Sequence, residues 1–243
     1  MSKIFEALEH SRREKRELKK QSVVTLPERY SVKAPKLYIE DEMIDLYQSI
    51  DSLLSYSPKK VIQFIGSREG EGTSTIVRGF ARVSAIKFSK SVLLLDADNH
   101  KPSQHLFFNV KPEHGLDEVI RDDIPLDDAL YRVGETNLFI SLLSVYSATS
   151  QIFSSPRIDY LWEKLRQRFD LILVDSLPAT LSPDGMAISQ RVDGTVLVLE
   201  AEKTRWPVAE SVKDKITNNG GKILGIVLNK RQQYIPEFIY KKL

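Results

Sequence analysis

Three short stretches hold the residues able to do chemistry. Ser67-Arg68-Glu69-Gly70-Glu71-Gly72-Thr73-Ser74-Thr75 is a glycine-bearing loop that follows an apolar run and precedes a helical pattern. Two further apolar runs close on acids: the first on Asp96 and Asp98, the second on Asp175 followed by Ser176. Glycines let successive backbone N–H groups turn inward around phosphate oxygens, and a helix N-terminus behind them adds partial positive charge. A hydroxyl at the helix start serves Mg²⁺, and a lysine just before it reaches the outer phosphates. Gly70, Gly72 and Ser74 fit that scheme, but Thr73 stands where the lysine belongs, so the formal pattern is not matched. Taken alone, the segment also reads as a strand-to-helix turn with no ligand.

The carboxylates shift that balance. Asp96 and Asp98 alternate, which on a strand projects both side chains to one side. Acids that close apolar strands are costly unless solvated or paired, and a phosphate-bound Mg²⁺ is a natural partner for them. His100 and His105 flank Lys101 without a third ligand at metal spacing, which argues against zinc.

The surrounding pattern positions these stretches. Apolar residues at Met43, Ile44, Leu46, Tyr47, Ile50, Leu53 and Leu54 have helical spacing. Residues 61–66, 91–98, 138–144, 171–176, 195–200 and 222–230 are apolar runs that read as strands, separated by helical patterns. Unbroken apolar strands alternating with helices predict an α/β fold: a mostly parallel sheet covered by helices on both faces. Ligands of such sheets bind beyond the carboxyl ends of the strands, where the glycines, hydroxyls and acids fall. Trp162 reads as core, and Trp206 stays open between core and surface.

Ahead of this body, residues 1–36 read as a basic helix and a linker, with the α/β domain over 37–243. Residues 3–20 carry seven Lys/Arg against four Glu, and Ile4, Phe5 and Leu8 form a short apolar face. That helix is either a solvated extension or a docking element for an anionic membrane surface or a membrane-bound partner. Pro27 and Pro35 mark the linker. A net charge of +2 over 243 residues argues against nucleic acid as a partner, and the lack of cysteine excludes disulfides and thiolate metal sites. No apolar leader or spanning run is present, so the expected location is cytoplasmic.

The three motifs, in this order and spacing, resemble the cytoplasmic domain of bacterial tyrosine kinases of capsule and exopolysaccharide systems (the CpsD/CapB type). That group lies within the MinD/ParA-like branch of P-loop proteins. The likeness spans about residues 38–230. Residues 68–81 stand where the family has its GEGKST loop; 92–102 and 171–178 resemble its second and third acidic motifs. GLDEVI at 115–120, 196–206, and the opening MSKIFEALE also follow the family.

The resemblance implies ATP and Mg²⁺ as cofactors, held by Gly70, Glu71, Gly72, Thr73, Ser74 and Thr75 around the phosphates. It implies Ser74, Asp96 and Asp175 around the metal and Asn229 near the adenine. Asp98 would activate an acceptor tyrosine hydroxyl as general base. Tyr234 and Tyr240 become phosphoacceptor candidates. The implied partner is a transmembrane polysaccharide co-polymerase or chain-length regulator, which would hold the protein at the inner face of the membrane; self-association is implied as well.

Departures from the family all weaken the same machine. Thr73 replaces the lysine, and Asn99-His100-Lys101 replaces an arginine-rich stretch. Glu42, Asp45 and Gln48 stand where an acid and two arginines help form a ring. The tail holds only Tyr234 and Tyr240, and Leu177 interrupts a proline pair. These departures predict a degenerate, tyrosine-kinase-like regulator of polysaccharide synthesis or export with weak or no phosphotransfer. The alternatives are an active autokinase, rescued by Arg68 or Lys101 swinging in, and a MinD/ParA-like positioning ATPase.

Overall fold

Every apolar run of the sequence becomes a strand of one sheet. The computed structural model describes residues 39–57, 59–144 and 149–232. The N-terminal basic helix, its linker, Tyr234 and Tyr240 lie outside the described residues. Helix α1 (Ile39–Leu53) leads into β1 (Lys60–Gly66), and α2 (Thr73–Ile86) leads into β2 (Val92–Asp96). Two short helices, α3 (Gln104–Phe107) and α4 (Leu116–Arg121), and a 3₁₀ turn precede β3 (Tyr131–Arg132) and β4 (Leu138–Leu142). Helices α5 (Thr149–Ser154) and α6 (Arg157–Arg168) precede β5 (Leu171–Asp175). Then come α7 (Asp184–Ser189), β6 (Gly194–Glu200), α8 (Trp206–Asn218) and β7 (Ile223–Asn229).

The sheet order is β3-β4-β2-β5-β1-β6-β7. All pairings are parallel except β3 with β4. Central strands β2 and β5 are buried along their whole length because helices cover both faces. On one face α1 and α2 set Met43, Tyr47, Ile50, Val77 and Phe80 against Phe64, Leu94 and Leu173. On the other, α6 sets Leu161, Trp162 and Leu165 against Leu93, Ile172 and Val174. Helix α8 covers Leu197 and Leu199 with Ala209, Val212 and Ile216. Trp162 is buried core as its spacing predicted, whereas Trp206 is 69% exposed at the start of α8.

Register decides where the chemistry sits. Asp96 pairs directly with Asp175 across β2 and β5, and Asp175 pairs with Phe64 across β5 and β1. Strand neighbours lie about 4.8 Å apart, so the two acids share the carboxyl edge of the sheet, beside the point where β1 opens into the glycine loop.

Candidate functional site

The glycine loop makes its turn with two left-handed residues, Gly70 at φ 86° and Gly72 at φ 88°. Gly72 is the N-cap of α2, and the amides of Thr75 and Ile76 donate to its carbonyl at 3.0 Å. The first N–H groups of a helix have no acceptor within it, so Thr73 and Ser74 open α2 with donors directed at the loop. Glu71 turns its buried carboxylate inward. It accepts from the amides of Ser67 (2.5 Å) and Arg68 (3.0 Å) and from the hydroxyls of Ser67 (2.8 Å) and Thr204 (2.5 Å). Glu71 therefore braces the loop with its side chain, while its backbone stays part of the turn.

Asn229, at the end of β7, donates its side-chain amide to the Glu71 carbonyl at 2.8 Å. A Cβ on Gly72 would lie 2.2 Å from that same amide nitrogen. Gly72→Ala must therefore displace Asn229 as well as strain a left-handed turn, with an expected cost of about 2–3 kcal/mol in chemical unfolding. A Cβ on Gly70 meets nothing within 4 Å, so Gly70→Ala is expected to cost only the backbone share, about 1–2 kcal/mol. Equal losses for the two variants would show that the Asn229 contact contributes nothing.

Thr73, in the lysine position, is half-buried on the cleft wall. Its hydroxyl oxygen lies 2.8 Å from the place a Cβ on Gly66 would occupy, folded back over the end of β1.

Beneath the loop the acids form one buried unit. Asp96 accepts from the amides of Ser103 (2.8 Å), Gln104 (2.9 Å) and Asp98 (3.2 Å). Burial, followed by the charge of Asp175, pushes Asp96 up to about 7 against those amides. Burial pushes Asp175 up to about 6, with Gln104 and Ser74 pulling it back down. Asp175 accepts from the Gln104 side-chain amide at 2.8 Å through one oxygen, while its other oxygen, Oδ1, is buried and accepts no hydrogen bond.

That orphaned oxygen, beside Ser74 and across from Asp96, is the feature a hard cation would satisfy. No cluster of three His, Cys, Asp or Glu able to hold a metal exists among the described residues. Two carboxylates and a hydroxyl are hard oxygen donors, and such a set fits Mg²⁺ that completes its shell with phosphate oxygens and water. Ser74, Asp96 and Asp175, the three residues the resemblance put around the metal, lie together at this edge of the sheet.

Asp98 departs from its expected placement. The strand ends at Asp96, so Asp98 does not alternate on it. Instead Asp98 turns the chain by accepting from the amides of His100 (3.0 Å) and Lys101 (2.9 Å). It is half-buried on the wall of a cleft of roughly 530 Å³, which the loop, Ser176, Leu177, Lys101 and Lys230 also line.

Two of the residues that build the site carried no signal in the sequence. Gln104 is fully buried and links Asp175, the Ser74 carbonyl (3.1 Å) and Arg78 (2.9 Å). Lys230 places its ammonium 2.5 Å from the Gly70 carbonyl. The two cations that the alternative of a rescued loop would call on lie beside carboxylates. Lys101 pairs with Glu69, and Arg68 lies 3.8 Å from both Glu71 and Glu200.

A parallel α/β sheet, a glycine turn into a helix and an acid-closed strand pair beside it define the P-loop NTPase fold. Solved structures agree. The chimerical protein CapA2B2 superposes with a TM-score of 0.76 over 87% of this chain and 94% of that one, at 21% identity. The kinase domain of Escherichia coli tyrosine kinase ETK gives 0.73 over 81% and 78%, at 21% identity. MinD complexed with Mg-ADP from Pyrococcus horikoshii gives 0.58 over 76% of each chain, at 22% identity.

Sequence relatives are narrower in class. Tyrosine-protein kinase CpsD of Streptococcus pneumoniae is 28% identical over 183 residues, 73% of this chain and 78% of that protein. YwqD of Bacillus subtilis is 26% identical over 174 residues, 71% and 73% of the two chains. The succinoglycan biosynthesis transport protein ExoP of Rhizobium meliloti is 27% identical over 213 residues, 83% of this chain but 26% of that protein. No family profile matches the chain. The chain is thus a relative of the CpsD/CapB-type bacterial tyrosine kinases, as its three motifs indicated. Among the described residues, no helix is long and apolar enough to cross a membrane.

Proposed function

We propose that the chain is a tyrosine-kinase-like P-loop protein of an exopolysaccharide or capsule system that binds ATP with Mg²⁺ and transfers phosphate weakly or not at all. One observation carries the reading: the loop and acid pair are intact, yet the side chain at the lysine position is Thr73, folded over Gly66. The loop amides and the start of α2 would hold the phosphates. Ser74, Asp96 and Asp175 would hold the cation, and Asn229 would border the base. Mg²⁺, when bound, neutralises phosphate charge; the residues around it orient the nucleotide and keep water from the buried acids. Asp98 lines the same cleft and would accept the proton of an acceptor hydroxyl.

Relatives named as capsule-type tyrosine kinases and as a succinoglycan transport protein support the pathway. The likeness to a succinoglycan transport protein supports a transmembrane polysaccharide co-polymerase as the partner, and the protein would reach the membrane face through it. Residues 1–36, read as a separate basic segment ahead of the domain, are the part of the chain proposed to meet that partner or the membrane surface.

The test uses the full chain with labelled ATP and Mg²⁺ beside a binding titration. Saturable binding with label near background is the expected result. Strong labelling on Tyr234 or Tyr240, lost in Asp98→Asn, would establish the active autokinase instead. Nucleotide-driven hydrolysis with dimer formation would favour the positioning ATPase.

A further inference from the structure

We propose that Lys230, presented from the end of β7, supplies the phosphate-binding cation that the glycine loop lacks. This rests on the reading of the cleft as a nucleotide site.

Three cations line the cleft: Arg68, Lys101 and Lys230. They are not equivalent. Lys101 is bound to the Glu69 carboxylate and is largely exposed, so moving onto a phosphate exchanges one anion for another. Arg68 lies 3.8 Å from the carboxylates of both Glu71 and Glu200, so it too would leave anions to reach a phosphate. Lys230 makes its short contact with a neutral acceptor, the Gly70 carbonyl, and stands 3.7 Å from Glu200. Exchanging a neutral carbonyl for a phosphate oxygen turns an ion–dipole contact into an attraction between opposite charges.

Charge around Lys230 favours the same exchange. Glu200 is shared by Arg68 at 3.8 Å, Lys203 at 3.1 Å and Lys230 at 3.7 Å. These cations hold the Glu200 carboxylate below its ordinary range, Lys203 foremost. With Glu71 also 3.8 Å from Arg68, three cations meet two carboxylates at the rim of the loop, where an anion would enter. Backbone geometry fixes the direction of approach. Lys230 has a left-handed φ of 57°, and Asn229 beside it is anchored on the Glu71 carbonyl. The lysine stem therefore runs back across the loop, with its Cε 4.0 Å from a Cβ position on Gly72.

A cation delivered in this way binds the ground state. It comes from the end of β7 rather than from the start of α2, and it contacts the loop at Gly70, three residues before Thr73. Equal attraction for bound and reacting phosphate lowers the dissociation constant without raising the transfer rate. Lys230 thus accounts for retained nucleotide binding in a chain whose transfer chemistry is impaired.

The experiment titrates ATP, ADP and adenosine, with Mg²⁺, into the full chain and into Lys230→Met, Lys230→Arg, Thr73→Lys and the Thr73→Lys/Lys230→Met double variant. Lys230→Met is expected to weaken ATP and ADP by about ten- to a hundredfold, to leave adenosine unchanged, and to flatten the salt dependence of ATP binding. Lys230→Arg is expected to retain ATP. In the Thr73→Lys background the loss should shrink, because two cations then serve one phosphate group. A lysine that merely straps the loop would weaken adenosine as much as ATP and would act equally in both backgrounds; that outcome overturns the proposal, as does an unaltered ATP affinity. If the natural chain binds neither ATP nor ADP at millimolar concentration, the nucleotide reading itself fails.

Discussion

A Thr73→Lys variant is expected to transfer label from ATP to protein about 10²–10³ times faster than the natural chain. Phosphoryl transfer leaves the protein little covalent chemistry to do, so catalysis is positioning plus stabilisation of charge on the moving group. The rest of the loop and the acids beside it are in place: the left-handed glycine turn, Ser74, and the paired Asp96 and Asp175. What occupies the lysine position is a short hydroxyl turned back onto Gly66. A lysine at this first position of α2 would extend past Gly66 into the cleft, because Thr73 already lines it.

Binding and rate should respond differently. One charge-assisted hydrogen bond contributes about 1.5–3 kcal/mol, or one to two decades in affinity. The gain in rate at saturating nucleotide comes on top of that, because the new donor is aimed where charge develops. Single-turnover labelling with excess enzyme separates the two, and Asp98→Asn in the Thr73→Lys background is expected to erase the gain. Natural chain and variant labelling at the same rate would show that this position does not limit the chemistry.

Legibility from sequence divided along a physical line. Unbroken apolar runs such as Leu93–Leu95 and Ile172–Val174 report full burial on both faces, and such burial occurs in a helix-covered parallel sheet. The fold was therefore readable from local composition. The loop and the acids were readable because glycine at a left-handed turn and a carboxylate closing an apolar strand are each costly without a function. Asp98 was misplaced by a small margin with a large effect: the strand stops at Asp96, and from there the chain curls around the Asp98 carboxylate instead of alternating. Gln104 and Lys230 had no signature at all. Their roles arise from contacts 71 and 160 residues away in sequence. A glutamine in a short helix, or a lysine after a strand, is ordinary until the fold brings it to the loop.

The buried acid pair gives the second large effect, and it concerns stability. Asp175 titrates at about 6 in the folded chain against 3.8 when unfolded. Between those values the folded state binds more protons, so the protonated carboxyl stabilises fully below about pH 4, and that contribution is lost as pH rises through 6. Asp96, pushed up to about 7, behaves in the same sense. At pH 8 both carboxylates are ionised, buried and adjacent across one strand pair. A shift of this size corresponds to about 3 kcal/mol of destabilisation from Asp175 alone.

Asp175→Asn removes that penalty at little structural cost. The Asn carbonyl can still accept from Gln104, and its NH₂ takes the place of Oδ1, which accepts nothing in the natural chain. The variant is expected to melt about 6–12 °C higher at pH 8 and at the same temperature as the natural chain near pH 4. Relief of the charge should also let Asp96 ionise more readily, which flattens the pH dependence of melting. The same variant is expected to lose the Mg²⁺ dependence of nucleotide binding, because the orphaned oxygen is gone. A residue whose removal stabilises the fold is kept for something other than folding. Asp175→Asn that melts lower than the natural chain at pH 8 would mean that the carboxylate is structural, held by contacts the cation does not share.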